Sequence, residues 1–346
     1  HEYEKIMDRE PTPFKPVPIR EEQVAQLYYT SGTTGSPKGV MLTHKNVCVH
    51  ALGTIGELKL VDADIWGHIA PMFHLADAWA TFAITWVGGQ HVMVRHFEAE
   101  KVMATIEKEQ ITLSNLIPTM LNLMIKHPQV QSYNYSSLRA ILSGGAPIAP
   151  QLVHNIIQTF GCDYIQTYGM TETSPYLTLS ILKEHLQNLP AEERLTYKAK
   201  TGRPFITVDL QVMDKNNTPV VPDGQQVGEI WVQGDTITPG YWKRPAETRN
   251  AFSGAWLRTG DLAVVDKEGY VNIVDRKKDM IISGGENIYS TEVENVLYRH
   301  PKVLEAAVIG IPDEKWGEAV KAVVVLKPNE TSTEEEIIRF CKQHQA

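Results

Sequence analysis

Between residues 24 and 200, short apolar runs alternate with amphipathic stretches. Residues 24–29, 65–71, 138–142 and 163–166 read as strands, whereas 100–110 and 151–160 carry apolar side chains at helical spacing. A further apolar run, Val40-Met41-Leu42, leads into a helix that Thr43 is placed to cap. This alternation predicts α/β layering. From about 201 to 275 the pattern changes: residues 208–213, 228–232 and 270–274 are apolar runs separated by Asn-Asn, Asp-Gly and Glu-Gly, which predicts an antiparallel sheet or small barrel. A third pattern follows the charged cluster Asp275-Arg276-Lys277-Lys278-Asp279. Thr291 with Glu294 reads as a capping box, Val293, Val296 and Leu297 supply one apolar face, and Pro301 closes the helix. Strands over 303–309 and 320–326 come next, and Thr333 with Glu336 opens another helix.

The expected organisation is therefore an extended connector over 1–23, rich in proline; an α/β subdomain over 24–200; a β-rich, barrel-like subdomain over 201–276; and a small α+β domain over 277–346. The chain opens at His1 inside a charged segment and stops at Ala346 within a helical pattern, so both ends read as cut.

Composition narrows the function. With 346 residues, 42% of them hydrophobic, the chain can bury a large core in more than one domain. A formal charge of -8 with scattered basic residues argues against a nucleic-acid groove, but not against ATP, which is held by local donors. Cys48, Cys162 and Cys341 are odd in number and far apart; they read as reduced thiols of a cytoplasmic protein, not as a disulfide framework or a zinc site. No apolar run is long enough to span a bilayer, and no signal peptide is visible.

The most telling segment is residues 30–39, Thr-Ser-Gly-Thr-Thr-Gly-Ser-Pro-Lys-Gly. Glycines let backbone N–H groups turn toward an anion, hydroxyls add donors, and Lys38 adds a mobile charge. Such a loop wraps a polyphosphate. It is not a Walker A loop, because Pro37 precedes the lysine, Gly39 follows it, and a strand comes next instead of a helix. The other reading is a flexible linker, which sits poorly between two runs that both look like buried strands.

Other segments carry weaker signals. Tyr168-Gly169-Met170-Thr171-Glu172-Thr173 follows a strand, where α/β sheets place ligands; Glu172 could hold Mg²⁺ and Thr171 a phosphate oxygen, or Glu172 is an ordinary loop acid. Ser143-Gly144-Gly145-Ala146-Pro147 permits close approach of a flat ligand, or is a plain turn. Asp261, in Thr259-Gly260-Asp261, could accept ribose hydroxyls, or the triplet is a β-turn. His68, His74, His91 and His96 lack metal-ligand spacing, and His74, after Met72 and Phe73, reads as pocket-lining. There is no Gly-x-Ser-x-Gly elbow to support a serine hydrolase.

Taken together and in this order, these segments resemble the adenylate-forming, AMP-binding superfamily, on its acyl-CoA synthetase or fatty-acid–CoA ligase branch. Residues 30–39 and 270–294 carry the most specific part of the resemblance, the latter through Asp275-Arg276-Lys277-Lys278-Asp279 and Ser283-Gly284-Gly285-Glu286-Asn287. The resemblance implies an acid–thiol ligase that activates a carboxylic acid, fatty or aromatic, with Mg-ATP to an acyl-adenylate and pyrophosphate, then forms a thioester with CoA. It implies that Thr30, Ser31, Gly32, Thr33, Thr34, Gly35 and Lys38 wrap the β- and γ-phosphates. Gly144, Gly145 and Ala146 would flank adenine and the acyl pocket, with Tyr168 and Gly169 beside adenine. Thr171 would touch the α-phosphate, Glu172 would hold Mg²⁺, and Asp261 with Arg276 would bind the ribose. Lys278 would be the hinge of a mobile C-terminal domain. Met72, Phe73 and His74 would line the acyl pocket and its gate, and Gly284 and Gly285 the pantetheine tunnel. Two alternatives stay open: a ligase that loads a carrier-protein phosphopantetheine, and a fragment that binds ATP or acyl ligand without catalysis. The family's N-terminal subdomain should precede residue 1, and its C-terminal catalytic lysine, in a Gly-Lys context, should follow Ala346. No Gly-Lys pair occurs here, so the chain as given is expected to adenylate poorly.

Overall fold

The computed structural model describes Lys5 and residues 15–30, 36–146 and 148–344. Two strands open it: β1 (Val24–Thr30) and β2 (Lys38–Thr43), antiparallel, with Thr30 paired to Lys38. The phosphate-loop candidate is thus the connection of a hairpin, and its residues 31–35 lie outside the described residues. The expectation that both strands are buried holds only for β2. β1 has β2 as its sole partner among the described strands, so Tyr29 stays 66% exposed while Val40 and Leu42 are fully buried. After β2, helix His44–Leu58 begins as expected: the Thr43 hydroxyl accepts from the Asn46 N–H, and the Asn46 side chain accepts from the Thr43 N–H.

The central layer is a sheet of β3 (Ile65–His68), β4 (Gln90–Met93), β5 (Leu113–Asn115), β6 (Ala140–Gly144), β7 (Asp163–Gly169), β8 (Tyr176–Leu179) and β9 (Arg203–Pro204), in the order β4-β3-β5-β6-β7-β8-β9. The pairs from β4 through β7 are parallel; β8 and β9 are antiparallel additions. Strand β3 stops at His68, short of the expected residue 71. β9 lies just past the expected boundary at 200 and still belongs to this sheet.

Period-two alternation sends neighbouring residues to opposite faces. Ile141 and Tyr164 join a core with Met103, Ile106 and Phe160; Leu142 and Ile165 join another with Trp66, Trp79 and Ile84. Helices cover both faces, as a parallel sheet requires. Burying each such Leu or Ile contributes on the order of 1.5–3 kcal/mol.

A second sheet is antiparallel, as its turn residues predict. It holds β10 (Asp209–Met213), β11 (Gly228–Gln233), β12 (Phe252–Ser253), β13 (Trp256–Val265) and β14 (Val271–Arg276). Its described strands run as an open path from β10 to β12, with β14 on β13.

After Arg276 a turn leads to the last sheet: β15 (Ile281–Ser283), β16 (Glu286–Ile288), β17 (Val303–Asp313) and β18 (Gly317–Leu326), in the order β16-β15-β18-β17. Helix Ser290–Arg299 packs Val293 and Leu297 against Ile281 and Val308. The predicted capping box of this helix is not formed. Its first turn is fixed from outside, by Asp275, while the Thr291 hydroxyl donates to the Val274 carbonyl and Glu294 Oε1 accepts from the Val308 N–H at 2.8 Å. The later capped helix is observed, with the Glu336 N–H donating to Thr333 Oγ1 at 3.3 Å. Among the described residues no helix is long and apolar enough to cross a membrane.

Candidate nucleotide site

Parallel strands end on one edge, so the segments after β3, β6 and β7 gather there. β7 ends at Gly169, where a Cβ would stand 1.9 Å from the Pro175 carbonyl oxygen, so glycine is obligatory as the chain folds back on β8. The next residues, Thr171–Thr173, form a single 3-10 turn that turns Glu172 inward.

Glu172 is 6% exposed. Its Oε1 accepts from the Tyr241 hydroxyl at 2.8 Å, and its backbone carbonyl accepts from the Thr238 N–H at 2.8 Å. Burial pushes the Glu172 carboxyl above its ordinary range, while the Tyr241 hydrogen bond and the Lys38 charge pull it back. Lys38 Nζ lies 5.1 Å from the centre of the Tyr241 ring. One tyrosine therefore joins the lysine of the phosphate-loop hairpin to the carboxylate after β7. Segment 240–242 is bound along β2, through a Val40–Tyr241 bridge and a hydrogen bond from the Trp242 N–H to the Gly39 carbonyl at 2.7 Å.

A second cluster forms beside it. The Tyr168 hydroxyl donates to Asp261 Oδ2 at 2.7 Å, and Arg276 Nε stands 3.7 Å from Asp261 Oδ1. Asp261 and Arg276 are register partners on β13 and β14. Burial raises the Asp261 carboxyl; the Tyr168 hydroxyl and the Arg276 charge oppose that. Burial, reinforced by Asp261, pushes the Tyr168 phenol well up, so it stays a donor. The Arg276 side chain is 65% exposed, which leaves its remaining donors facing solvent.

The other predicted residues are spread more widely. Gly144 ends β6, and Gly145 and Ala146 follow it, exposed, on the same edge. Met72, Phe73 and His74 lie in the loop after β3; Phe73 is 74% exposed and its ring centre is 4.5 Å from that of His74. Lys278 is exposed in the turn between β14 and β15, whose ends are tied by hydrogen bonds from the Asp279 and Met280 N–H groups to the Arg276 carbonyl. Gly284 and Gly285 form the tight turn of the β15–β16 hairpin, with φ of 62° and 88°, conformations that favour glycine.

Two features escaped the sequence. Tyr241 was one, although Pro239-Gly240-Tyr241-Trp242, two aromatics after a proline–glycine turn, was a legible signal. The other is a chain of hydrogen bonds that runs from the core to the surface: Trp66 Nε1 and His68 Nδ1 contact the buried Asp77 carboxylate at 3.1 and 2.6 Å, His68 Nε2 meets His91 Nδ1 at 2.9 Å, and His91 Nε2 meets the exposed Thr85 hydroxyl at 3.0 Å. Two of the four histidines surveyed in the sequence are thus hydrogen-bonded to one another.

Side chains gathered at the carboxyl edge of a parallel sheet covered on both faces, with two acids beside it, mark the place where α/β proteins bind ligands. Residues 2–242 match the model of the AMP-binding enzyme family, and residues 292–346 match that of the AMP-binding enzyme C-terminal domain. The chain belongs to the AMP-binding enzyme family. It is 38% identical over 338 residues to a long-chain-fatty-acid–CoA ligase of Thermus thermophilus, covering 96% of this chain and 62% of the relative. Its fold is similar to o-succinylbenzoate CoA synthetase from Bacillus subtilis in complex with its acyl-adenylate intermediate, with a TM-score of 0.83 and 32% identity, covering 95% of this chain and 64% of that one. The same Bacillus enzyme with ATP and magnesium ion gives a TM-score of 0.84 and 30% identity, covering 99% and 68%. The chain spans about 60% of the length of the curated relatives it matches.

Proposed function

We propose that this chain forms the nucleotide-binding part of an acid–thiol ligase, which converts a fatty or aromatic carboxylic acid to its acyl-adenylate with release of pyrophosphate, then to its CoA thioester. The observation that carries this reading is a pair of acids beside the end of β7, Glu172 held by Tyr241 near Lys38 and Asp261 of β13 held between Tyr168 and Arg276. Relatives named as CoA ligases, one for a fatty acid and one for an aromatic acid, support the substrate class and favour CoA as acceptor.

In this reading Asp261 accepts the ribose hydroxyls and Arg276 assists from the exposed side. Tyr168 fixes the Asp261 carboxylate and offers its ring to adenine. Thr30 and Lys38 flank the β- and γ-phosphates together with residues 31–35, and Thr171 reaches the α-phosphate. Glu172 fits a magnesium ion: it is a buried oxygen donor with one oxygen already oriented by a phenol. That ion would supply neutralisation of phosphate charge. A carboxylate approaching a phosphate needs charge neutralised and an in-line path; it needs no protein nucleophile. Met72, Phe73 and His74 edge the acyl entrance, Gly284 and Gly285 edge the pantetheine path, and Lys278 is the hinge. The separated thiols fit a reducing compartment such as the cytoplasm.

The test is a screen of acid-dependent pyrophosphate release by the complete protein with acids of graded size, beside calorimetry of Mg-ATP on the 346-residue chain. Release with apolar acids, and ATP binding that Asp261→Ala weakens at least tenfold, are expected. Absence of both would sink the reading.

A further inference from the structure

An open groove of about 400 Å³ lies against β2 and shares Tyr241 with the site just described. That is room for roughly a dozen waters. Met41 and Tyr241 form its inner wall; Lys243, Arg244 and Arg249 line it with positive charge. The only acid bound to these cations among the described residues is Glu247, 3.6 Å from Arg244, so three cations face one carboxylate in a chain whose formal charge is -8. The wall is welded in place. The Tyr241 N–H donates to Thr248 Oγ1 at 3.0 Å, the Thr248 hydroxyl donates to the Arg244 carbonyl at 2.9 Å, and the Met41 N–H donates to the Gly240 carbonyl at 3.1 Å. Lys243 itself sits at φ 54°, a conformation a lysine holds only when its surroundings impose it.

We propose that this groove is a second polyphosphate site, which takes the pyrophosphate leaving the nucleotide site; the proposal rests on the adenylate-forming reading. Tyr241 is the reason. Its ring lines the groove, carries Lys38, and through its hydroxyl holds Glu172. The groove therefore begins at the residue where the triphosphate tail would end. A leaving pyrophosphate that passes from Lys38 to Lys243 and Arg249 moves between positive charges. The diphosphate of CoA offers similar chemistry, but nothing ties it to the Tyr241 wall.

The experiment titrates inorganic pyrophosphate, Mg-ATP and 3′,5′-ADP separately into the 346-residue chain and into the variant K243N/R249Q. Asparagine tolerates the left-handed backbone at 243, and R249Q alone serves if the double variant does not fold. The expected result is pyrophosphate binding weakened about tenfold or more, Mg-ATP affinity within about twofold, and 3′,5′-ADP unchanged. Three outcomes overturn the proposal: unchanged pyrophosphate affinity, an equal loss for Mg-ATP, which would make these residues part of the nucleotide site, or a loss confined to 3′,5′-ADP, which would assign the groove to CoA. Failure of the parent chain to bind Mg-ATP would sink the nucleotide-site reading and, with no source of pyrophosphate left, this proposal with it.

Discussion

Glu172 is an acid that folding alone disfavours. Burial raises its folded carboxyl above the unfolded value of 4.5, so the folded state holds the proton more tightly. Stability is thus lost as pH rises through the window between those two values, and the penalty is complete above the folded one. Glu172→Gln should remove that penalty: its thermal midpoint exceeds that of the parent at pH 7, and the two converge below pH 4.5. The same change should weaken Mg-nucleotide binding at least tenfold. A midpoint at pH 7 that falls in Glu172→Gln would show that the carboxylate is structural. Tyr241→Phe removes the hydrogen bond that lowers the Glu172 carboxyl, so the acid limb of nucleotide binding should move to higher pH. Asp77 offers the contrast. It is fully buried against Trp66 and His68, and Asp77→Ala leaves Trp66 Nε1 and His68 Nδ1 without their acceptor, which should cost about 1–3 kcal/mol for each in denaturant titration.

At the scale of elements, Asp275 carries more than its position at the end of a strand suggests. Its carboxylate accepts from the Ser290 N–H at 2.6 Å, the Ser290 hydroxyl at 3.1 Å and the Arg276 N–H at 2.7 Å. It thereby ties β14 to the first turn of helix Ser290–Arg299, across the turn that holds Lys278. Asp275→Ala should cost about 2 kcal/mol and raise the rate of limited proteolysis within residues 277–280 several-fold; an unchanged cleavage rate would refute the tie. This helix also shows why part of the fold was hidden. The capping box predicted from Thr291 and Glu294 uses only local letters, whereas its first turn is anchored by a residue 15 positions upstream. Central strands were legible because burial on both faces leaves continuous apolar runs, as in β6. Two-residue strands such as β9 and β12 leave no period to read. Glu172 was legible because it follows a strand and Asp261 because of its Thr-Gly-Asp triplet, although the triplet lies inside β13, whereas Tyr241, 69 positions from Glu172, is selected by tertiary contact.

In the molecule as a whole, the proposed nucleotide groups come from three places: the β1–β2 hairpin, the carboxyl edge of the parallel sheet, and the β13–β14 pair of the antiparallel sheet. None of these is contributed by the β17–β18 hairpin, whose core partners are Ile281, Val293 and Leu297. A nucleotide bound as proposed would therefore stabilise the first two sheets together, while acting on the last sheet through the ties of Asp275 and Val274 to the first turn of helix Ser290–Arg299. Ligand at about a hundred times its dissociation constant contributes roughly 2.7 kcal/mol to whatever unfolds as one unit with its site. Hydrogen exchange with and without Mg-ATP reads this segment by segment. Amides of Asp163–Gly169, Trp256–Val265 and Val271–Arg276 should exchange up to about a hundredfold more slowly, and those of Val303–Asp313 should change little. Equal protection of Val303–Asp313 would mean that the last sheet unfolds with the site as a single unit, and protection of Val303–Asp313 alone would place the nucleotide elsewhere.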